Sequence, residues 1–358
     1  MPPDGAEVNF QRSMVEDRFD ISDKGAVWSF PQRGKSVLEL ARAGGAAAFF
    51  RLGRVKCGKF GELSALPEKF RLHRSEDAAE AELESSGVIP FGCEYRVSRD
   101  CRVTCGCATL TTDLAAVTGG RVDGIELESP TFSGDLARVE FLIFGEKKFR
   151  SVELPASGTL YSGCEVPLMI RAVYADGSRC EVALGADVWR HRAAFGIDGA
   201  ESEYELVAAG NELKLTRRVL KYAPDIEPER RPWRFTVLIG WDDGSAPAEP
   251  VGEVFELPGC AMSAVSRREL RSLVRRSDRS LVWRNVSPAV CGDAAHVSRS
   301  GRGEIAHFDL EELLAAWRWA NRQLGKSGHH LALTPKAGGL FADSVILRNL
   351  ARPEAKLD

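Results

Sequence analysis

Short alternating segments separated by glycine-containing turns recur through the first two thirds of the sequence, and this pattern restricts that part of the chain to antiparallel β structure. The clearest case is the pair Val166–Tyr174 and Arg179–Leu184, which flank an Asp-Gly turn within Ala175–Ser178. An Asp-Gly pair between alternating segments is the strongest short-range signal of a β-hairpin. Similar pairs of segments flank the turns at 43–45 and 209–211. Many short strands at this spacing, without a helical period between them, predict an antiparallel sandwich.

The pattern changes after the linker-like run Asp243–Pro250, which is rich in proline, glycine and alanine. Ser266–Glu269 fits a capping box at the start of a helix. The apolar period from Leu310 to Leu324 predicts a second helix. With strands predicted around both helices and at Ser344–Leu350, the order is β-α-β-β-α-β plus one strand, which is the order of a ferredoxin-like unit.

The expected architecture is therefore mainly β, a large antiparallel β-sandwich followed by a small α+β domain. The predicted segments are an N-terminal extension over 1–19, the sandwich over 20–243, a linker over 244–251 and the α+β domain over 252–358. The sandwich is large enough to be supersandwich-like, an architecture that aldose mutarotases and other sugar-handling proteins use. This is an analogy of fold alone. The catalytic His and Glu motifs of mutarotases match no positions here, so no family follows from the sequence.

Composition excludes several classes of protein. The balance of 44% hydrophobic and 28% charged residues is that of a globular chain and excludes a disordered or fibrous one. No apolar run approaches the ~18 residues that a membrane helix needs, which predicts no membrane contact. The N-terminal residues lack the basic and apolar regions of a secretory signal, so we expect a cytoplasmic protein with reduced cysteines. Arginine outnumbers lysine by 36 to 12, the bias of a GC-rich, bacterial genome.

The common cofactor motifs are absent from the sequence. Gly34-Lys35-Ser36 resembles the end of a phosphate-binding loop, but the first glycine of that motif is replaced by Ser29. No dinucleotide fingerprint, nucleophile elbow, paired-histidine zinc motif or Cys-x-x-Cys motif occurs. We therefore expect no cofactor and no metal.

One group of cysteines leaves two interpretations open. A long hairpin is predicted from Glu94 to Thr112, with its turn around Arg99 and Asp100. Cys101, Cys105 and Cys107 are expected to share one face of its second strand with Val103, across the hairpin from Cys93. Small apolar packing is the favoured interpretation, because zinc sites prefer cysteine pairs that come from turns. A thiolate site in this group is the alternative.

The sequence predicts a sugar site at the ends of the sandwich strands, where tryptophans are adjacent to arginine, histidine and aspartate residues. Tryptophan faces stack on sugar rings, and arginine side chains hydrogen-bond sugar hydroxyls. The candidate ligand-binding residues are Trp189, Arg190, Arg192, Arg231, Trp233 and Trp241. His191, Asp242 and Asp243 are weaker candidates for a catalytic acid and base.

A second candidate surface is an arginine face on the first C-terminal helix. Arg267, Arg271 and Arg275 recur at helical spacing, with Arg276 beside Arg275. Such a row of arginines can bind phosphates or sulfates, although most charged helix faces of this kind are simply exposed to solvent. Aromatic residues are sparse there, so nucleic acid is an unlikely partner that the sequence does not exclude.

Three hypotheses of function follow. The leading one is a carbohydrate-binding or carbohydrate-associated sandwich protein. The first alternative is a carbohydrate-active enzyme that uses the strand-end Asp and His residues. The second is a structural or assembly subunit, or a polyanion binder acting through the arginine face.

Overall fold

The computed structural model describes part of the chain. The described residues are 9–13, 18–23, 25–31, 36–42, 45–56, 62–64, 69–74, 79–89, 93–104, 106–116, 120–121, 124–143, 146, 148–184, 203–220, 225–226, 233–244, 253–255, 267–286, 317, 319–335 and 345–346.

The described elements are almost all strands. They are β1 (Asn9–Ser13), β2 (Arg18–Asp23), β3 (Ala26–Pro31), β4 (Ser36–Arg42), β5 (Gly45–Arg51), β6 (Arg54–Lys56), β7 (Glu62–Ser64), β8 (Lys69–Arg74), β9 (Ala79–Ile89), β10 (Cys93–Thr104), β11 (Cys107–Ala116), β12 (Gly120–Arg121), β13 (Gly124–Glu126), β14 (Ser129–Phe132), β15 (Leu136–Ile143), β16 (Arg150–Glu153), β17 (Ala156–Gly163), β18 (Pro167–Tyr174), β19 (Arg179–Leu184), β20 (Glu203–Gly210), β21 (Glu212–Leu220), β22 (Asp225–Ile226), β23 (Trp233–Asp242), β24 (Glu253–Phe255), α1 (Arg267–Arg276), β25 (Leu281–Val286), α2 (residues 319–325) and β26 (Leu331–Pro335).

Two large antiparallel sheets form the sandwich. The first sheet runs β1-β2-β3-β4-β5-β14-β21-β13-β6-β7, with β20 and then β17 extending from β21. The second sheet runs β16-β15-β18-β19-β23-β11-β10-β9-β8. The predicted hairpins appear as β4–β5, β18–β19 and β20–β21. The fold class predicted from the sequence, a mainly β antiparallel sandwich, is confirmed.

The predicted N-terminal extension over 1–19 contains strand β1 and the first residues of β2. Strand β1 pairs with β2 in antiparallel register, from Asn9 opposite Ser22 to Ser13 opposite Arg18. Part of that segment therefore belongs to the first sheet. The alternation of Arg18, Asp20 and Ser22 with apolar residues begins inside the predicted extension, and the pairing follows that alternation.

The core fills the space between the two sheets because each inner strand alternates. Along β23, Phe235, Val237 and Ile239 are buried and face inward, opposite Thr112, Leu110 and Ala108 of β11. Buried residues of both sheets join one connected core. The sheets are also joined by a hydrogen bond, because the Tyr174 hydroxyl donates to the Ala47 carbonyl at 2.6 Å. The division of the chain at 244–251 stays a prediction.

The hairpin of β10 and β11 turns later than the sequence suggests. Arg99 and Asp100, predicted to form a turn, lie in the middle of β10, opposite Thr112 and Thr111. The turn follows Thr104, where Gly106 has a φ of 71°. Glycine reaches this left-handed region without steric cost, whereas a polar pair such as Arg-Asp has no such preference.

The C-terminal part contains a small parallel sheet. Strand β24 pairs with β25, and β25 with β26, both in parallel. A ferredoxin-like unit is a split arrangement in which another strand separates the parallel neighbours, so that predicted order does not describe these three strands. The crossover from β24 to β25 contains α1, and a helical crossover lets parallel strands lie side by side. None of the helices in the described ranges is long and apolar enough to cross a membrane.

A late segment of the chain contacts the second sheet. Val345 and Ile346 are helical and buried, whereas the sequence predicts a strand there. The Ile346 amide donates to Glu181 Oε1 at 3.3 Å, and the Cys107 thiol lies 3.9 Å from the Ile346 carbonyl oxygen. Gly240, opposite Glu181 on the neighbouring strand, lies directly beneath this segment. The segment therefore lies on the outer face of the second sheet.

Candidate functional site

A groove lies on the outer face of the first sheet, over strands β2 to β5. Its cavity volume is about 670 Å³, within the range of about 300–1,000 Å³ that small-ligand sites occupy. The residues between its lining positions, among them Ile21, Trp28 and Ala47, are buried in the core. Because side chains alternate along a strand, the polar residues at neighbouring positions face outward into the groove.

One row of four side chains crosses this groove. Asp20 of β2 lies opposite Ser29 of β3, Ser29 lies opposite Glu39 of β4, and Glu39 lies opposite Phe49 of β5. All four line the cavity. We call this set the polar row. Directly opposite residues in antiparallel strands have Cβ atoms about 4.5–5.5 Å apart, so one ligand can contact neighbouring members together.

The first member of the polar row carries a local counter-ion. Arg18 Nε lies 3.3 Å from Asp20 Oδ2. The second oxygen, Asp20 Oδ1, is buried and has no hydrogen-bond partner among the described residues. A buried acceptor without a donor is uncommon in native proteins. Asp20 therefore accepts one cation and retains further acceptor capacity.

The next two members offer a hydroxyl and a second carboxylate. Ser29 is only 5% exposed, and its side chain makes no hydrogen bond with any residue in the described ranges. Glu39 is half-buried, and no ion pair joins it to a described arginine or lysine. Both groups line the groove. They can accept hydrogen bonds from a ligand without first breaking bonds to that part of the protein.

Phe49 ends the polar row with an aromatic ring. The Arg51 guanidinium lies 5.3 Å from the centroid of this ring, a cation–π distance. Arg51 is exposed and lies two residues after Phe49 on β5, opposite Ser36 of β4. The half-buried ring gives the groove an apolar wall with a guanidinium at its rim. Acceptors beside an aromatic wall are the chemistry that binds polyhydroxylated rings.

The structure places Trp241, one of the predicted sugar-stacking residues, in the core. It is 2% exposed, and its ring lies 6.0 Å from the Tyr174 ring, centroid to centroid. It faces inward because it lies opposite Cys180, which is also buried. A ring in this position offers no face to a ligand, so the predicted platform role does not hold for Trp241.

Asp242, predicted as a catalytic acid or base, forms structural hydrogen bonds with both of its carboxylate oxygens. Arg179 Nη2 donates to Asp242 Oδ2 at 2.8 Å, and the Gly244 amide donates to Oδ1 at 3.0 Å. The side chain is buried, so both oxygens serve an ion pair and a turn. Asp243 is exposed, and its carboxylate approaches Gly25. The two acids are not brought together as a catalytic pair.

The remaining predicted sugar-site residues are not placed together by the structure. Trp233 begins β23 opposite Leu114. The others lie outside the described residues: Trp189, Arg190, His191, Arg192 and Arg231. Their roles stay predictions.

The predicted arginine face is present on α1. Arg271, Arg275 and Arg276 are exposed, and Arg267 is the first residue of the helix. An adjacent side of the helix is apolar, with Leu270 and Val274 buried. The Arg271 guanidinium lies 5.8 Å from the Trp319 ring centroid. The face therefore presents at least three positive charges to solvent.

The cysteines that suggested a shared face point to opposite faces. Cys101 and Cys107 are both buried, but Cys101 faces the core while Cys107 lies opposite Gly240 on the outer face. The turn between them reverses the alternation. Burial raises the pKa of the Cys101 thiol, and Asp100 raises it further. Among the described residues no cluster of ligating side chains is arranged for a metal ion. Cys105 lies outside those residues, and of Cys93 only the strand position is described.

An assembly role predicts exposed apolar edges. At one edge of the second sheet β16 has four residues, of which Arg150 and Glu153 are exposed. Charges on a short edge strand oppose edge-to-edge pairing. Leu273, 39% exposed, is the one large hydrophobic side chain that the described ranges leave open. These features do not favour the assembly hypothesis.

Sequence reasoning missed the polar row. Its members lie on four strands, and a polar residue at alternate positions is ordinary for a sheet with one solvated face. The signal present in the sequence is the run Arg18, Asp20, Ser22, which alternates polar and apolar residues. The alignment of Asp20 with Ser29, Glu39 and Phe49 depends on register, which the turns and the core determine together.

Neither a protein-family model nor a curated protein sequence matches the chain. Several solved structures are similar in fold at low identity. The GH36 α-galactosidase AgaB from Geobacillus stearothermophilus is 8% identical with a TM-score of 0.43, covering 91% of this chain and 56% of that one. The α-N-acetylgalactosaminidase NagBb from Bifidobacterium bifidum is 8% identical with a TM-score of 0.40, covering 88% and 58%. A provisionally assigned aldose 1-epimerase from Escherichia coli K12 is 11% identical with a TM-score of 0.40, covering 63% and 98%.

All three of these proteins are carbohydrate-related by name. This chain spans little more than half the length of the two glycosidases. At these identities and TM-scores the likeness identifies no function for the chain.

Proposed function

We propose that this chain is a carbohydrate-binding β-sandwich protein that holds its ligand in the groove on the outer face of the first sheet. The observation that carries the proposal is the polar row, in which Asp20, Ser29 and Glu39 line up beside Phe49. A sugar ring presents hydroxyl donors at its edges and apolar C–H groups on its faces. The acceptors of the row match the donors, and the Phe49 ring matches the apolar face.

Binding is favoured over acid–base chemistry at the predicted strand-end acids. The Asp242 carboxylate accepts hydrogen bonds from Arg179 and from the Gly244 amide, so both of its oxygens serve a structural role. A general base must reach the proton that it abstracts. The Asp242 carboxylate is buried and both of its oxygens already accept hydrogen bonds, so it does not reach a substrate proton. The groove residues, in contrast, line an open cavity.

The test is a thermal-shift screen of the purified chain against neutral mono- and oligosaccharides, followed by titration calorimetry on each hit. A ligand that binds the folded state raises the melting temperature. Phe49→Ala should weaken binding about tenfold or more, because stacking and apolar contact are lost.

Phe149→Ala is the matched control for this variant. Phe149 is also half-buried beneath an arginine, with Arg171 4.2 Å from its ring centroid, but it lies by the second sheet. The Phe149→Ala variant should bind sugar with the affinity of the wild type. Equal losses in the two variants, or no sugar binding by the wild type, would reject the proposal.

A second candidate function is polyanion binding by α1, and the exposure of Arg271, Arg275 and Arg276 favours it. Guanidinium groups bind sulfate and phosphate oxygens in pairs. The double variant Arg275→Glu and Arg276→Glu should reduce heparin affinity and flatten its salt dependence. Arg150→Glu, at an exposed arginine on β16, is the control. An unchanged salt dependence in the double variant would contradict this function.

A further inference from the structure

We infer that the groove selects a carbohydrate that carries a protonated amine, so that its ligand is an amino sugar with a free ammonium group. The inference rests on the proposed function and names the ligand class of the same site. What carries it is the charge balance of the polar row, in which Glu39 has no counter-ion among the described residues.

Among the described residues, three charged side chains line the groove: Arg18, Asp20 and Glu39. Arg18 is committed to Asp20, at 3.3 Å between Nε and Oδ2. These two charges cancel, and the carboxylate of Glu39 remains. The described lining of the groove therefore has a net negative charge, which lies on β4, one strand beyond Ser29.

The surroundings of Glu39 make a ligand cation favourable. Glu39 is half-buried, with Ser29 on one side and Phe49 on the other. A carboxylate that is partly removed from water is stabilised by an opposite charge, since burial penalises an unpaired ion. A ligand ammonium can donate to Glu39 and to the Ser29 hydroxyl oxygen together. Hydrogen bonds of this kind, with both groups charged, are about twice as strong as neutral ones.

The nearby rim arginine does not neutralise this carboxylate. Arg51 lies over the Phe49 ring and opposite Ser36, and it forms no ion pair with Glu39 in the described structure. A ligand carboxylate beside Glu39 would face like charge in a partly desolvated site, which disfavours uronic acids. N-acetylation of the ligand removes its positive charge and with it the preference.

The test is titration calorimetry with two trisaccharides of equal length, one of glucosamine and one of N-acetylglucosamine, at a pH where the free amines are protonated. The wild type should bind the glucosamine trimer about tenfold more tightly, the gain expected from one charge-assisted contact. Glu39→Gln should abolish that difference and retain binding of the N-acetylated trimer.

Glu212→Gln is the matched control. Glu212 is an exposed carboxylate on β21 of the same sheet, and its replacement removes the same charge outside the groove. It should keep the tenfold difference. If it loses the difference as Glu39→Gln does, the preference comes from overall charge and the inference is overturned.

The remaining outcomes separate the inference from the proposed function. Equal affinity of the wild type for the two trimers would overturn the amine preference and leave carbohydrate binding intact. Binding of neither trimer, nor of any neutral sugar, would overturn the proposed function and the inference with it. Equal binding of spermidine, a polyamine without a sugar ring, would overturn the assignment of a carbohydrate ligand.

Discussion

Arg99 and Glu128 form an ion pair inside the sandwich, with Arg99 Nε 2.6 Å from Glu128 Oε1 and side chains only 1% and 3% exposed. The Thr112 hydroxyl donates to Glu128 Oε2 at 2.9 Å, and the Gly53 amide donates to Oε1 at 3.3 Å. Arg99 and Thr112 belong to the second sheet, while Gly53 follows β5 of the first. The carboxylate therefore connects the two sheets through its hydrogen bonds.

Replacing this carboxylate by an amide should destabilise the fold strongly. Glu128→Gln keeps the side-chain shape but leaves the buried Arg99 charge without its partner, which costs about 3–5 kcal/mol. The free energy of unfolding in urea measures the loss. Glu146→Gln is the control, because the Glu146–Arg150 pair is solvent-exposed and such pairs contribute only about 0–1 kcal/mol. Equal losses in both variants would contradict the role of Glu128.

The same carboxylate should make the fold sensitive to acid. Burial raises the pKa of Glu128, but the charge of Arg99 and the hydrogen bonds from Arg99 and Thr112 outweigh it and leave the pKa below its ordinary value. Its stabilising contribution is complete above the unfolded-state pKa of about 4.3 and is lost as pH falls through the lower folded-state pKa. Unfolding free energies measured from pH 6 downward should decline less steeply in Glu128→Gln. Parallel declines in the two proteins would exclude this contribution.

Trp241→Ala should damage stability rather than ligand binding. The ring packs beside Tyr174 in the core, so its removal costs about 3–5 kcal/mol. Thermal and urea denaturation measure that cost. Sugar affinity, measured at a temperature where the variant is still folded, should remain within about twofold of the wild type. A selective loss of affinity with normal stability would restore Trp241 as a binding residue.

Gly240→Ala should displace the segment that lies on the second sheet. A Cβ at Gly240 would lie 2.8 Å from Ile346 Cγ1, 3.0 Å from the Ile346 amide nitrogen and 3.1 Å from Val345 Cγ1. Overpacking of this kind costs about 1–3 kcal/mol. Faster amide exchange at Val345 and Ile346 should accompany the loss.

Gly325→Ala provides the control, because nothing lies within 4 Å of the added Cβ at that position. It should leave exchange at Ile346 unchanged. If amide exchange at Ile346 in Gly240→Ala is as slow as in the wild type, the position of Val345 and Ile346 does not depend on their close approach to Gly240.

Local turn chemistry made several hairpins predictable. The hairpin of β18 and β19 was found because its Asp-Gly turn determines where the strands end, and Gly177 has a φ of 85° there. The β10–β11 turn was misplaced because Arg99 and Asp100 look like turn residues on the basis of polarity alone. Arg99 is tolerated inside a strand only because Glu128, 29 positions away, supplies its counter-charge. No local pattern contains that information.

The candidate site was less predictable than the fold for a similar reason. Trp241 and an exposed stacking tryptophan have the same local sequence signature, and only the inward register of β23 distinguishes them. The polar row requires Asp20, Ser29 and Glu39 to be aligned across three strands, which depends on the register of two successive pairings. The parallel neighbours β24 and β25 likewise depend on how the chain crosses between them.

The contact between Glu181 and Ile346 joins residues 165 positions apart. At a synthesis rate of about 5–20 residues per second, the strand that carries Glu181 leaves the ribosome roughly 8–33 s before its partner. During that interval the carboxylate has Arg171 but not the Ile346 amide, and Gly240 lacks its cover. The part of the second sheet's outer face around Glu181 and Gly240 is thus exposed in the nascent chain and covered in the finished chain.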